Sequence, residues 1–400
     1  MNRALFFSRC YYWLICFAVL SAPFSAIPYF FITPLLLILW IIEGDWKRKW
    51  NCLKKSQNIL ILCALLSFWL INIIGLFYSN DLVRGLMRTY DKLPFVVYPL
   101  LFFTLDKNFF TKEKLHILLK IFLYAASTML LISWGNAWTQ FIKTGETSYF
   151  YYLSLSHYFG HPAYCTLTVC IAFSIAFYFF NHDTAKNRWR WVILLFFFAI
   201  SVYFFQSRGG NLAFLFMLLF SIFYYVHTHK KNYWYGVTGA SIIVLFAVSL
   251  WYFFPNRIDF NKEQITDKSI VENVLGLRKD IWRVSWNIAI ENKMFGIGTG
   301  YDTDSYLSDE ELKFFKTNHS FINTHNQFLQ IFLEHGILGF CVFIFLVIYS
   351  FYYALKTKNY LLLMLLLALT VNILFESMLE RNRGIFTISL CYCLFITIKL

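Results

Sequence analysis

Charge is what this sequence has least of. Of 400 residues only 14% are Asp, Glu, Lys or Arg, whereas 59% are hydrophobic, and the 22 acids are outnumbered by 35 Lys and Arg for a net charge of +13. Extended polar stretches are missing as well, with one exception near the C-terminal third. These shortages exclude a water-soluble core. Apolar runs of roughly 17 to 25 residues, long enough to cross a bilayer, recur from end to end. Segments 59–77 and 361–375 are apolar on every face, where a soluble chain would alternate apolar and polar positions. The solvent for most of this chain is lipid.

Cysteine is absent from the one long hydrophilic segment, between Pro255 and Thr324, so that segment has no internal disulfide. The nine cysteines elsewhere read as small apolar filler. Nucleic acid is excluded as a partner by where the positive charge lies: it sits in short clusters between apolar runs, the places that anionic headgroups and the insertion machinery select. Near the N-terminus Arg3 and Arg9 precede an apolar stretch ending at Ser21, Ala22, Ser25 and Ala26, an outline shared with cleavable secretory signals. Apolar sequence resumes at once toward Ile42, which favours an uncleaved first helix.

The expected fold is therefore all-α, a polytopic integral membrane protein of about twelve transmembrane helices. The spans are 11–25, 27–42, 59–77, 93–105, 115–141, 163–180, 191–205, 212–226, 234–254, 337–355, 360–375 and 385–398. They divide the chain into N-terminal helices over 1–190, a core over 191–355 that includes a long extracytoplasmic loop at 255–336 with short helices, and C-terminal helices over 356–400. An even count puts both termini on one side. The connections that then lie inside are all basic, which predicts a cytoplasmic N-terminus.

Orientation leaves one pattern unexplained. Inner basic residues, tails included, are thirteen Lys and five Arg, whereas the short outer connections hold Arg84, Arg88, Arg208, Arg381 and Arg383 but only Lys92 and Lys143. Arginine's planar fork grips phosphate oxygens bidentately and stays ionised when partly desolvated. An arginine-rich outer face points to an anionic, phosphate-bearing ligand at the membrane surface. The alternative is that these residues snorkel to headgroups or pair with Glu376, Glu380 and Asp91.

Four motifs carry candidate chemistry. Gln206-Ser207-Arg208-Gly209-Gly210 interrupts two apolar runs with almost no loop; its glycines admit close backbone approach and can open a helix toward an anion, or the motif is a tight turn at the interface. In 276–286, Arg278 and Trp282 share a helical face, an arrangement suited to a sugar phosphate, with Arg283 alongside; the plainer reading is an interfacial helix anchored by Trp282 and Trp286. Gly296, Gly298 and Gly300 suggest a nucleotide loop, but no βαβ unit surrounds them, and a mobile turn beside the site is preferred. His325 and Asn326 open an amphipathic helix that runs toward the membrane. A histidine there is placed to take a proton from an acceptor hydroxyl, or serves as a cap. His319, His335, His157 and His161 compete for that role. None of them has metal-ligand spacing, so neither metal nor cofactor is expected.

Three of these places resemble the O-antigen ligase and polymerase superfamily of bacterial envelope enzymes. They are Ser207-Arg208-Gly209 between adjacent spans, Arg278 with Trp282 followed by the glycine turn, and His325-Asn326 with Gly336 and Gly339 downstream, which matches the ligase pattern at each specified position. The resemblance implies a GT-C-like glycosyltransferase of the inner membrane, taking a glycan from undecaprenyl diphosphate on the periplasmic face and giving it to a sugar hydroxyl of lipid A-core or another glycan acceptor. It further implies that Arg208 and Arg278 stabilise the diphosphate and that His325 activates the hydroxyl. Ser207, Gly209, Trp282, Arg283, Asn326, Arg84, Arg88, Arg381 and Arg383 are the accompanying substrate-binding candidates. A polymerase of the same superfamily would use the same arginines. A lipid-linked glycan flippase or transporter is the rival of another class, although no repeat between halves supports it.

Overall fold

The structure, a computed structural model, describes residues 3–24, 29–54, 59–106, 109–230, 234, 236–239, 241, 269–301, 303–308 and 323–398. Among them every regular element is helical and no strand occurs. In chain order the helices are α1 (Arg3–Ser21), α2 (Tyr29–Glu43), α3 (Trp46–Lys54), α4 (Ile59–Leu76), α5 (Leu82–Asp91), α6 (Pro94–Thr104), α7 (Lys112–Thr144) and α8 (Tyr152–Leu155). They continue as α9 (Pro162–His182), α10 (Arg188–Phe205), α11 (Arg208–Thr228), α12 (Ser269–Glu291), α13 (Gln327–Lys356), α14 (Tyr360–Ile373) and α15 (Asn382–Thr397).

Among the described residues seven helices have the length and composition to cross a membrane: α1, α4, α7, α9, α10 with the turn before it, α11 and α13. Shorter apolar helices cover Phe30–Glu43, Tyr360–Ile373 and Asn382–Thr397. The chain is a polytopic, all-helical membrane protein. The expected span at 93–105 is an eleven-residue helix, α6, that begins at Pro94 and holds Pro99 inside it; α5 precedes it as a separate amphipathic helix. The expected span at 234–254 lies mostly outside the described residues, as do 255–268, 302 and 309–322 of the hydrophilic segment 255–336.

The chain forms two compact units. The first comprises 1–125, 277–362 and 373–400, and the second 126–276 with 363–372. In the second, α9 is the centre: 94% of its most apolar window is buried, with α10 and α11 packed along it. Lipid is as apolar as leucine, so close approach of backbones rather than water exclusion holds such a core together. The sequence of α9 supplies the small residues this needs, among them Ala163, Cys165, Cys170, Ala172 and Ala176, all buried. Its hydroxyls are satisfied locally, Thr166, Thr168 and Ser174 each donating to the carbonyl four residues back at 2.9 Å. Gly210 of α11 is the contact point, since a Cβ there would run into the Thr166 side chain.

In the first unit α4 packs along α13, and α6 is flanked by α15 and α2. α13 is two helices joined at a kink: Gly336, at φ 59° and ψ −158°, has no helical geometry. Only glycine occupies that region without strain. The kink separates an amphipathic first segment from the apolar stretch expected at 337–355.

Candidate active site

Breaking a helix at Gly336 strands the carbonyls of Leu333 and Glu334, whose usual donors lie four residues on. The glycine turn repairs the break. Ile297 N–H donates to Leu333 O at 3.0 Å, Gly298 N–H donates to Glu334 O at 3.0 Å, and Ile337 N–H donates to Lys293 O at 2.8 Å. A Cβ on Gly336 would lie 2.5–2.6 Å from the backbone of Met294 and Phe295, and one on Gly296 would strike the backbone of Glu334 and His335. The turn is fastened to α4 through Thr299, whose N–H donates to Gly75 O at 3.2 Å and whose hydroxyl donates to Asn72 O at 2.8 Å. The turn expected to be mobile is thus a packed and hydrogen-bonded wedge, with Ile297 and Thr299 buried.

Beneath the wedge lies a sealed group of charges. Arg88 of α5 pairs with Glu334 and, at 3.2 Å, with Glu380; Lys92 reaches Glu380 at 3.2 Å and Glu334 at 3.7 Å, and donates to Asn72 Oδ1 at 2.8 Å. Glu334 is wholly buried, and Lys92 and Glu380 nearly so. Burial alone would lower the Arg88 pKa, but the two carboxylates overcome it and hold the guanidinium above its ordinary value. Tyr301, buried beside it, is pushed up by desolvation. Glutamines carry the network to two loops: Gln330 accepts from Thr324 N–H at 3.0 Å and donates to Glu334 at 2.8 Å, while Gln327 donates to Glu380 at 3.2 Å and accepts from Leu379 N–H at 2.7 Å.

The loops so held carry the open group. His325 stands in the left-handed region, φ 49°, with its N–H bound to Asn323 Oδ1 at 2.9 Å. Its Nδ1 is 3.0 Å from Glu376 Oε1, and its side chain is one-third exposed (33%). The guanidinium of Arg278 approaches the other oxygen of the same carboxylate at 3.8 Å and is 31% exposed. Glu376 therefore sits between a histidine and an arginine. Its charge fixes the histidine tautomer with the proton on Nδ1 and leaves Nε2 as an acceptor.

Trp282 donates its indole N–H to Thr324 O at 2.8 Å, so of the face shared by Arg278 and Trp282 the tryptophan holds the His325 loop and the arginine reaches the Glu376 carboxylate. Asn326 is the N-cap of α13, its Oδ1 accepting from Phe328 and Leu329 N–H at 3.0 and 3.1 Å and its amide donating to Leu374 O at 3.2 Å. The cap alternative for His325 thus falls to its neighbour.

The other candidates are more scattered. Arg84 donates to Tyr301 O at 3.0 Å and lies 3.4 Å from Asp81. Arg88 is taken up by the sealed carboxylates, which is the ion-pair alternative raised above. Arg283 pairs with Asp280 at 3.1 Å and is 70% exposed. Arg381 is exposed just before α15, and Arg383 donates to Pro23 O at 2.7 Å. Ser207, Arg208 and Gly209 belong to the second unit. There Ser207 caps α11, accepting from Gly210 N–H at 3.3 Å; Arg208 is exposed at its first position and Gly209 is buried.

Among the competing histidines, His335 is buried, with neither ring nitrogen hydrogen-bonded among the described residues. His161 caps α9, accepting from Ala163 N–H at 3.3 Å, and His157 is exposed. His319 lies outside the described residues. Glu376 is the functional candidate that sequence reasoning treated only as a possible arginine partner. Its signal was an acid between two apolar stretches on the arginine-rich side.

Comparison with known proteins bears on this arrangement. A Haemophilus influenzae protein described as an uncharacterized protein is 30% identical over 86 residues, covering 21% of this chain. The chain spans 22% of that relative's length. Residues 193–344 match the model of a family described as O-antigen ligase, a stretch that contains Arg208, Arg278, the glycine wedge and His325. Over those residues the chain is similar to the O-antigen ligase family.

Proposed function

We propose that this protein transfers a glycan from undecaprenyl diphosphate to a sugar hydroxyl, with O-antigen ligation to lipid A-core as the leading reaction. The observation that carries the reading is Glu376 binding His325 at 3.0 Å while Arg278 stands 3.8 Å from its second oxygen. A base oriented by a third group is the recurring device for activating a weak nucleophile. His325 Nε2 takes the acceptor's proton as its oxygen bonds to the anomeric carbon. The bond from that carbon to the diphosphate breaks, and the electron pair leaves on the lipid diphosphate. Displacement from the opposite face inverts the anomeric centre. Charge growing on the leaving group is met by arginine: Arg278, whose contact to Glu376 is long enough to leave donors over, and Arg208, exposed at the start of α11. The mechanism proposed needs no metal.

The proposed setting is a bacterial inner membrane with the site on the periplasmic face. A reporter fused after Arg190 is then cytoplasmic and one at Asp309 external.

The decisive experiment uses purified protein in vesicles with undecaprenyl-diphosphate-linked glycan and lipid A-core, in the presence of a chelator. Glycan should appear on the core, and His325→Ala should lower the rate by a factor of ~10² to 10⁴ with equal amounts of folded protein. His335→Ala, replacing a group that cannot reach solvent, should keep substantial turnover per folded molecule. A normal rate from His325→Ala ends the proposal. Repeats added to one another instead of to core would assign the polymerase reaction.

A further inference from the structure

α5 has two unlike sides. Gly85, Thr89 and the adjoining Lys92 are buried, while Leu82, Val83, Leu86, Met87 and Tyr90 are 40–65% exposed. On a helix these five fall within one contiguous arc. The buried side does structural work already described: it delivers Arg88 and Lys92 to the sealed carboxylates, and Gly85 lies so close to Gly300 that a Cβ on either residue would collide with the backbone opposite. Apart from Phe30, which stacks on Tyr90 at its far end, nothing in the described protein covers the apolar side.

Its place in the chain identifies the cover. α4 is long and apolar enough to cross a bilayer and ends at Leu76. Five residues follow before α5, a reach of at most about 18 Å, and the first of them, Phe77, is 86% exposed. With ten residues, α5 is only about 15 Å long and cannot cross. Tyr90 ties its far end to the start of another apolar helix, its hydroxyl donating to Phe30 O at 3.1 Å and its ring stacking on Phe30 at 6.3 Å. Phe31 beside it is 73% exposed. The exposed face thus continues into a rim at the ends of two apolar helices, with the half-exposed Arg84 at its polar edge facing where anionic headgroups lie.

We propose that α5 lies flat on the bilayer, its apolar face in the boundary between headgroups and acyl chains, and that this lipid seat holds the glycine wedge at 296–300 in place. The occupant is lipid, and the inference is independent of the glycan-transfer reading.

Two measurements test it. A benzophenone amino acid placed singly at positions 83 and 87, in purified protein in phosphatidylethanolamine and phosphatidylglycerol vesicles, should on illumination give lipid adducts identified by mass. Adducts to a second copy of the chain, or none at all, overturn the lipid seat. Then Leu86→Glu with Met87→Glu, which removes the apolar face without touching Arg88 or Lys92, should speed amide exchange over 297–301 by about tenfold or more. Exchange over 163–179 in the other unit should stay unchanged as the check on folding. Unaltered exchange at 297–301 overturns the coupling. The crosslinking result stands whether or not the double variant folds.

Discussion

Two groups of titratable side chains in the first unit are built in opposite ways. Arg88, Lys92, Glu334 and Glu380 form a closed set in which two cations meet two carboxylates, each carboxylate touching both cations. His325, Glu376 and Arg278 form an open set in which one carboxylate serves two partners and the histidine and arginine remain about one-third exposed. A closed set spends its hydrogen-bonding capacity on itself. It fixes geometry without necessarily adding stability over an apolar replacement. An open set keeps capacity for a ligand. The glutamines of α13 connect the two, Gln330 steadying Thr324 beside His325 and Gln327 steadying Leu379 near Glu376.

The largest effect should come from opening the closed set. Glu334→Gln leaves Arg88 and Lys92 sharing one carboxylate in a buried site, a loss on the order of 3–5 kcal/mol. The thermal midpoint in detergent should drop sharply and folded yield with it. Replacing Arg88 and Glu334 together by Met and Leu should recover much of that loss, because the Lys92–Glu380 contact at 3.2 Å survives. A double variant as unstable as the single one would show that the set is more than a charge balance.

The open set should respond the other way. Arg278→Lys keeps the charge but loses the fork, and a charged hydrogen bond is worth about 1.5–3 kcal/mol, so turnover should fall by roughly tenfold to a hundredfold while the thermal midpoint barely moves. Arg208→Lys should behave alike. Loss of stability with normal turnover in either variant would erase the distinction.

Much of this was legible in the sequence and some was not. Apolar runs declare helices whatever their neighbours, so the membrane class and an apolar span beginning at 337 could be read directly, whereas the kink at Gly336 interrupts what spacing alone reads as one continuous helix. The Arg278 and Trp282 face followed from helical spacing. Arg88 could not be told from Arg278, because pairing depends on Glu334 and Glu380, which are 246 and 292 residues away along the chain. The same holds for Glu376, 51 residues from His325. The glycine pattern was visible but its purpose was not: Gly296 is required by the backbone of Glu334 and His335 and Gly336 by that of Met294 and Phe295, a contact that no local spacing announces.

That contact gives the third prediction, intermediate in size. Gly336→Ala adds a Cβ at φ 59° against the Met294 and Phe295 backbone, where a strained residue costs of order 1–3 kcal/mol and the opposing atoms cannot swing aside. Stability should fall by at least that much. Because the wedge supports both groups, turnover per folded molecule should fall too. An unchanged midpoint would mean that the kink is not enforced by the wedge.

The smallest effect belongs to Arg283, and it sharpens the comparison because Arg283 is only five residues from Arg278 on the same helix. Its guanidinium is 70% exposed and already paired, at 3.1 Å, with Asp280 one turn earlier. Exposed pairs of this kind contribute about 0–1 kcal/mol, so Arg283→Ala should leave the midpoint within a degree or two. Exposure also leaves donors free, and a phosphate-bearing substrate reaching this part of α12 would use them. Kinetics separate the two cases. If Arg283 is a solvated surface charge, KM for the lipid-linked donor and kcat both stay within about twofold, against the tenfold or larger loss expected of Arg278→Lys. A rise in KM with kcat unchanged is the signature of lost ground-state binding. That outcome would extend the open set along α12 from Arg278 to Arg283 and make two arginines, rather than one, the donor's support.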